Sequence, residues 1–197
     1  YNMSSPAKLN LTIYQGSTLS EVLRWESPTK VYKNITGITQ AAPAVVTSTS
    51  HGIPDSWRVK ITNVVGMKEI NSSDTYRKAT LLSANTIELN EINAAGYTAY
   101  SSGGIIEYNL PVDLTGYTAR MQIRAKLEDT TVLLELTTEN GRISINNTTK
   151  TISLTISATD TAAITWLTGV YSLELVNGGV VSTLIAGNVS VKKEVTR

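Results

Sequence analysis

Residues 51–58 read HGIPDSWR, and place a histidine, an aspartate and a serine within one short stretch. These are the side-chain types of a hydrolytic triad, and His51 is the one histidine of the chain. A working triad needs the imidazole between nucleophile and acid, with each group oriented by packed neighbours. Three residues strung along a single turn do not supply that geometry. Pro54 fixes φ for a turn, and Asp55 can bond its own backbone two residues on. No Gly-x-Ser-x-Gly elbow occurs elsewhere. The stretch therefore reads as a turn, with His51-Gly52 ending one strand and Arg58-Val59 beginning the next.

Two carboxylate pairs could in principle serve glycoside hydrolysis: Glu128 with Asp129, and Glu88 with Glu91. The first pair sits in a Lys-Leu-Glu-Asp-Thr-Thr turn and the second spans a short strand and its bend. Both read as solvated surface charge, so the chain is expected not to be an enzyme. Three tryptophans and nine tyrosines stand with no phenylalanine. Trp25 and Trp166 read as packing residues at strand and helix ends. Trp57, Tyr97 and Tyr100 are the candidate surface-contact residues, placed by the sequence on loops where contacts are commonly made.

The absence of cysteine excludes disulfides and thiolate metal sites. With a single histidine, a zinc site would need its other ligands from carboxylates or water, so neither metal nor cofactor is expected. Seventeen basic and sixteen acidic residues give a net charge of +1, and the basic residues are scattered. No nucleic-acid partner is expected from that dispersal. No apolar run reaches membrane-spanning length and no signal peptide opens the chain, so neither membrane insertion nor export is expected. Met3 reads as the native start, with Tyr1-Asn2 as additions. Asn-x-Ser/Thr triplets at Asn10, Asn34, Asn71, Asn146, Asn147 and Asn188 read as chance in so Asn-, Ser- and Thr-rich a chain.

The elements that must position these residues are strands. Leu9, Leu11 and Ile13 alternate with polar neighbours. So do Met121, Ile123 and Ala125, then Ile152, Leu154 and Ile156, then Tyr171, Leu173 and Leu175. Side chains on a strand point to opposite faces in turn, so each segment has one buried and one wet face. Gln15-Gly16, Asn140-Gly141, Asn146-Asn147 and Asn177-Gly178-Gly179 supply hairpin turns. SATDTAAITW, residues 157–166, is the exception: Ser157 or Thr159 can cap a single helical turn that crosses between sheets.

An all-β, antiparallel fold follows, and its organisation changes along the chain. Residues 36–105 have shorter strands, sparse charge and frequent Gly, Ala, Ser and Thr spacers, the grammar of a small bent barrel. Residues 1–35 and 106–197 read as longer sandwich strands. The expected architecture is an Ig-like β-sandwich interrupted by an inserted small β-barrel, since insertion at a surface loop is well tolerated.

DLTGYTARMQIRAKLEDTTVLLEL, ISLTISATDTAAI and GVYSLELVNGGVVSTLIAGNVSVKKEVTR resemble, in order and spacing, the N-terminal domain of bacteriophage baseplate upper proteins, down to the Val195-Thr196-Arg197 tail. ITGITQAAPAVVTSTSHGIPDSWRVKITNVVGMKEIN with SANTIELNEINAAGYTAYSSGGII resembles a small barrel module of phage tail proteins. That module is similar to the non-catalytic first cysteine-half barrel of ubiquitin-activating enzymes. Where the barrel family often has Gly-Asp before its Arg-Val strand, this chain has Ser56-Trp57, which puts a bulky residue at a loop tip. The two resemblances together imply a non-enzymatic virion structural protein of the tail or baseplate, assembled in the host cytoplasm. They imply other tail proteins and symmetry copies of the chain as partners. The alternatives are a receptor- or carbohydrate-binding module facing a host surface glycan, and a capsid decoration protein.

Overall fold

The structure is a computed structural model that describes residues 5–72 and 74–194. Tyr1-Asn2-Met3 and Val195-Thr196-Arg197, on which two of the expectations above rest, lie outside the described residues. The chain divides into two compact units: Tyr1–Trp25 with Asp113–Arg197, and Glu26–Val112.

In chain order the strands open with β1 (Ala7–Lys8), β2 (Leu11–Tyr14) and β3 (Leu19–Leu23). The middle of the chain carries β4 (Glu26–Asn34), β5 (Gly37–Ile38), β6 (Ala44–Thr47), β7 (Trp57–Val65), β8 (Arg77–Ser83), β9 (Thr86–Leu89) and β10 (Ser102–Pro111). The remainder supplies β11 (Thr118–Arg124), β12 (Leu134–Thr137), β13 (Ile143–Asn146), β14 (Thr151–Ile156), helix α1 (Ala158–Ala162), β15 (Thr168–Asn177) and β16 (Val180–Lys192). One 3-10 turn, Lys68–Ile70, follows β7.

The first unit is a β-sandwich. Its six-stranded sheet runs β1-β16-β15-β11-β12 with β2 also on β16, and its three-stranded sheet runs β13-β14-β3. Period-two alternation sends Ala119, Met121 and Ile123 of β11 and Tyr171, Leu173 and Leu175 of β15 into the buried layer. Ile143, Ile152, Leu154 and Ile156 are the buried residues of the smaller sheet. Helix α1 carries the chain from β14 in one sheet to β15 in the other, as its position in the sequence suggests. Ser157 is its cap, with Oγ accepting from the Asp160 N–H at 3.1 Å.

The sandwich is antiparallel except along one edge, where β1 and β2 run parallel to β16. These strands come from opposite ends of the chain, so no hairpin turn imposes their relative direction. The first two strands form one interrupted edge, with the break at Leu9-Asn10 opposite Gly187.

The second unit is a barrel. Its sheet runs β4-β10-β7-β8-β9-β6-β5, seven strands in all. The two ends of that order are consecutive in sequence. Ile35 N–H donates to Gly104 O of β10, and Thr36 N–H donates to Thr47 O of β6. One bent stretch, Glu26 to Ile38, thus pairs with both flanks and closes the sheet on itself. The interior holds Trp57, Val59, Ile61, Met67, Ile87, Leu89 and Ile106, all buried.

The insert expected over residues 36–105 falls inside this unit, but the unit itself is Glu26–Val112. β4 looks like a long sandwich strand in sequence, yet it pairs with β10 from Asn34↔Ile105 to Glu26↔Pro111. Length alone does not assign a strand to a sheet; the partner does.

Candidate functional site

His51 is buried, 1% exposed, and both of its ring nitrogens are committed to backbone. Ile53 N–H donates to Nδ1 at 3.0 Å, and Nε2 lies 3.0 Å from Ser83 O. This pair of partners requires the neutral tautomer with the proton on Nε2. Burial pushes its pKa below the usual histidine value. Its own carbonyl accepts from the buried Tyr108 hydroxyl at 2.6 Å. Asp55 is turned elsewhere, with Oδ1 accepting from Leu81 N–H and Oδ2 from the Ser56 hydroxyl. The three residues do not form a relay. They build the loop between β6 and β7, in which Ser50, Gly52 and Ser56 all have positive φ.

Trp57 is not a surface residue. It is 0% exposed, and its Nε1–H donates to Asn109 O at 2.9 Å. The reason lies in register: Trp57, Val59 and Ile61 share one face of β7, and that face is the barrel interior. Tyr97 and Tyr100 are half-buried and pack against the same core. The Tyr100 hydroxyl lies within bonding distance of Gly103 O and Ile35 O, at 2.9 and 3.2 Å, so it ties its loop to the barrel's closing strand. The three aromatics do not form an exposed platform.

Of the carboxylates expected at the surface, Asp129, Glu88 and Glu91 have local partners. Asp129 Oδ2 accepts from Lys126 N–H, closing its turn. Glu88 accepts from Asn90, and Glu91 lies 3.9 Å from Arg77. Trp25 stacks edge-on against Tyr117 at 5.7 Å, in keeping with a packing role. Among the described residues no group of three His, Cys, Asp or Glu is placed to hold a metal ion. No helix among them is long and apolar enough to cross a membrane.

A concave surface lies on the sandwich, on the outward face of the six-stranded sheet. It is an open groove of about 600 Å³. Gln122, Ser172 and Ala186 stand side by side across β11, β15 and β16, and the two small residues form its floor. Longer side chains wall it. Arg120 donates from Nε to Glu174 at 2.8 Å, and Gln122 donates to Glu135 at 2.7 Å. Arg124 reaches Gln122 Oε1 and the Asp129 carbonyl, both at 2.7 Å. Leu127 lines the rim and is 83% exposed. Two guanidiniums and two carboxylates make the groove neutral in sum, with side chains held in place before anything binds. This chemistry suits a protein contact with both charge signs.

The groove residues escape a sequence reading for a definite reason. Arg120, Gln122 and Arg124 are visible as the wet face of β11, but Glu135 and Glu174 join them only through pairing with β12 and β15. A second polar cluster, on the barrel wall, has the same origin. Lys30, Lys60, Tyr76 and Glu107 come from different segments of the unit and meet around the Tyr76 hydroxyl. Glu107 is held below the usual carboxylate range, first by the Tyr76 hydroxyl and then by Lys60 and Lys30.

The chain matches no family model, and no curated protein matches it in sequence.

Proposed function

We propose that this chain is a non-enzymatic structural component of a bacteriophage tail or baseplate, which assembles through contacts of its β-sandwich with neighbouring tail proteins and with copies of itself. What carries the reading is the architecture: a sandwich built from both ends of the chain, interrupted between Trp25 and Asp113 by a closed barrel. That is the arrangement implied by the two resemblances in the sequence. The groove walled by Arg120, Arg124, Glu135 and Glu174 is the docking surface we assign to the sandwich. The barrel serves as a spacer or contact module. A glycan-binding role for it loses its main support with Trp57 in the core, because stacking on a sugar needs an exposed ring face.

Immunogold electron microscopy of intact phage, with an antibody to this chain, tests the proposal. Gold at the tail or its tip is the expected result. Gold across the head would replace the reading with capsid decoration, and its absence from particles would remove the virion reading altogether.

A further inference from the structure

The chain contains two Asn-Gly dipeptides, Asn140-Gly141 and Asn177-Gly178. Such a pair can rearrange without any enzyme. The glycine backbone nitrogen, after losing its proton, attacks the asparagine side-chain Cγ. The new C–N bond forms as the Cγ–Nδ2 bond breaks, and the leaving nitrogen takes up a proton and departs as ammonia. Water then opens the resulting five-membered imide at either carbonyl, giving aspartate or isoaspartate. Glycine permits the attack because it has no side chain in the way and few limits on its backbone.

The structure treats the two dipeptides differently. Asn140 is locked: Oδ1 accepts from Thr137 N–H at 2.9 Å and Arg142 N–H at 3.1 Å, and Nδ2 donates to Glu135 O at 3.1 Å. The attacking atom, Gly141 N, is itself engaged with Thr138 O. Asn177 has one such bond, from Nδ2 to Thr115 O at 3.1 Å. Gly178 and Gly179 form the two-residue turn of the β15–β16 hairpin, with φ of 56° and 82°. In that turn the hairpin bonds belong to Asn177 and Val180, and nothing among the described residues accepts from Gly178 N–H. No heavy atom lies within 4 Å of where a Gly178 side chain would begin, so the turn is open around the attacking residue.

We infer that Asn177 is a site of spontaneous deamidation, and that Asn140 is protected from it by the fold. The change would remove the Nδ2–H donor that ties the hairpin to Thr115 O and set a carboxylate against that carbonyl. The isoaspartate form would also lengthen the backbone within the hairpin turn. Net charge would fall from +1, by one added acid, to zero. Being independent of any docking partner, the inference does not rest on the tail assignment.

The test is peptide mass spectrometry on the folded full chain, incubated at mildly alkaline pH, with urea-unfolded chain as the comparison. The expected result is acid forms accumulating at residue 177 about tenfold or more faster than at residue 140, since the bonds on Asn140 must open before its Cγ can be reached. Unfolding should bring the two rates together. Anion exchange should show a growing acidic species that the Asn177→Gln variant lacks. Equal rates at the two sites in the folded chain, or conversion at residue 177 only after unfolding, would overturn the inference.

Discussion

Gly187 presses on the Leu9 carbonyl so closely that a Cβ at residue 187 would lie 1.9 Å from that oxygen. The same oxygen accepts from the Tyr171 hydroxyl at 2.8 Å, and the next residue, Asn10, uses its Oδ1 to accept from Asn188 N–H. The break between β1 and β2 is therefore fastened to the centre of the six-stranded sheet. Glycine is required at residue 187 by that close approach, since its φ is not in the left-handed region.

Gly187→Ala should loosen the N-terminal edge. Overpacking costs about 1–3 kcal/mol in well-packed interiors, and here the obstacle is backbone. The expected outcome is a lower urea midpoint and faster hydrogen exchange at Leu9 and Gln15, whose N–H groups donate to Ala186 and Lys192. An unchanged midpoint would mean the edge contributes nothing.

Trp57→Ala should cost about 3–5 kcal/mol, the range for emptying a large buried aromatic site. It also strands the Asn109 carbonyl that accepts from Nε1. Trp57→Phe restores part of the volume without that donor and should fall between. With two units in one chain, the measurement is exchange protection of barrel amides rather than a single melting point.

Acid should destabilise the barrel through His51. Its folded pKa is depressed, so the unfolded chain binds the extra proton first as pH falls. The stabilising contribution is complete above the ordinary histidine value, about 6.5, and declines below it until the folded pKa is passed. Protonation would set Nδ1–H against the Ile53 N–H that now donates to it. Denaturation at neutral and mildly acidic pH should show this decline, and His51→Gln should flatten it. Glu107, Asp113 and Asp160 have depressed carboxylate values, so their contributions are lost further into the acid range.

Tyr76→Phe and Glu107→Gln should be coupled. The Tyr76 hydroxyl donates to Glu107 and accepts from Lys30 Nζ, whose ammonium also lies 4.5 Å from the tyrosine ring centre. A double-mutant cycle should return about 1 kcal/mol, below the usual range for a charged hydrogen bond because the cluster is partly wet. Strict additivity would show that the contact is idle.

The sequence by itself determined the all-β class, the inward residues of β14 and β15, Met121 and Ile123 of β11, and a helical cap at Ser157 or Thr159, between which the structure selects Ser157. Each of these is local, written in a period of two or in a few adjacent residues. The burial of Trp57 is also legible, since Trp57, Val59 and Ile61 stand two apart, although the polar turn before it favours an exposed position. Tertiary structure alone decided the membership of β4, the parallel edge at β16, the closure of the barrel through Ile35 and Thr36, and the convergence of Arg120 with Glu174. Those depend on which strands pair and in what register. Pairing across a gap of fifty or more residues, as between Arg120 and Glu174, leaves no periodic trace in either strand taken separately.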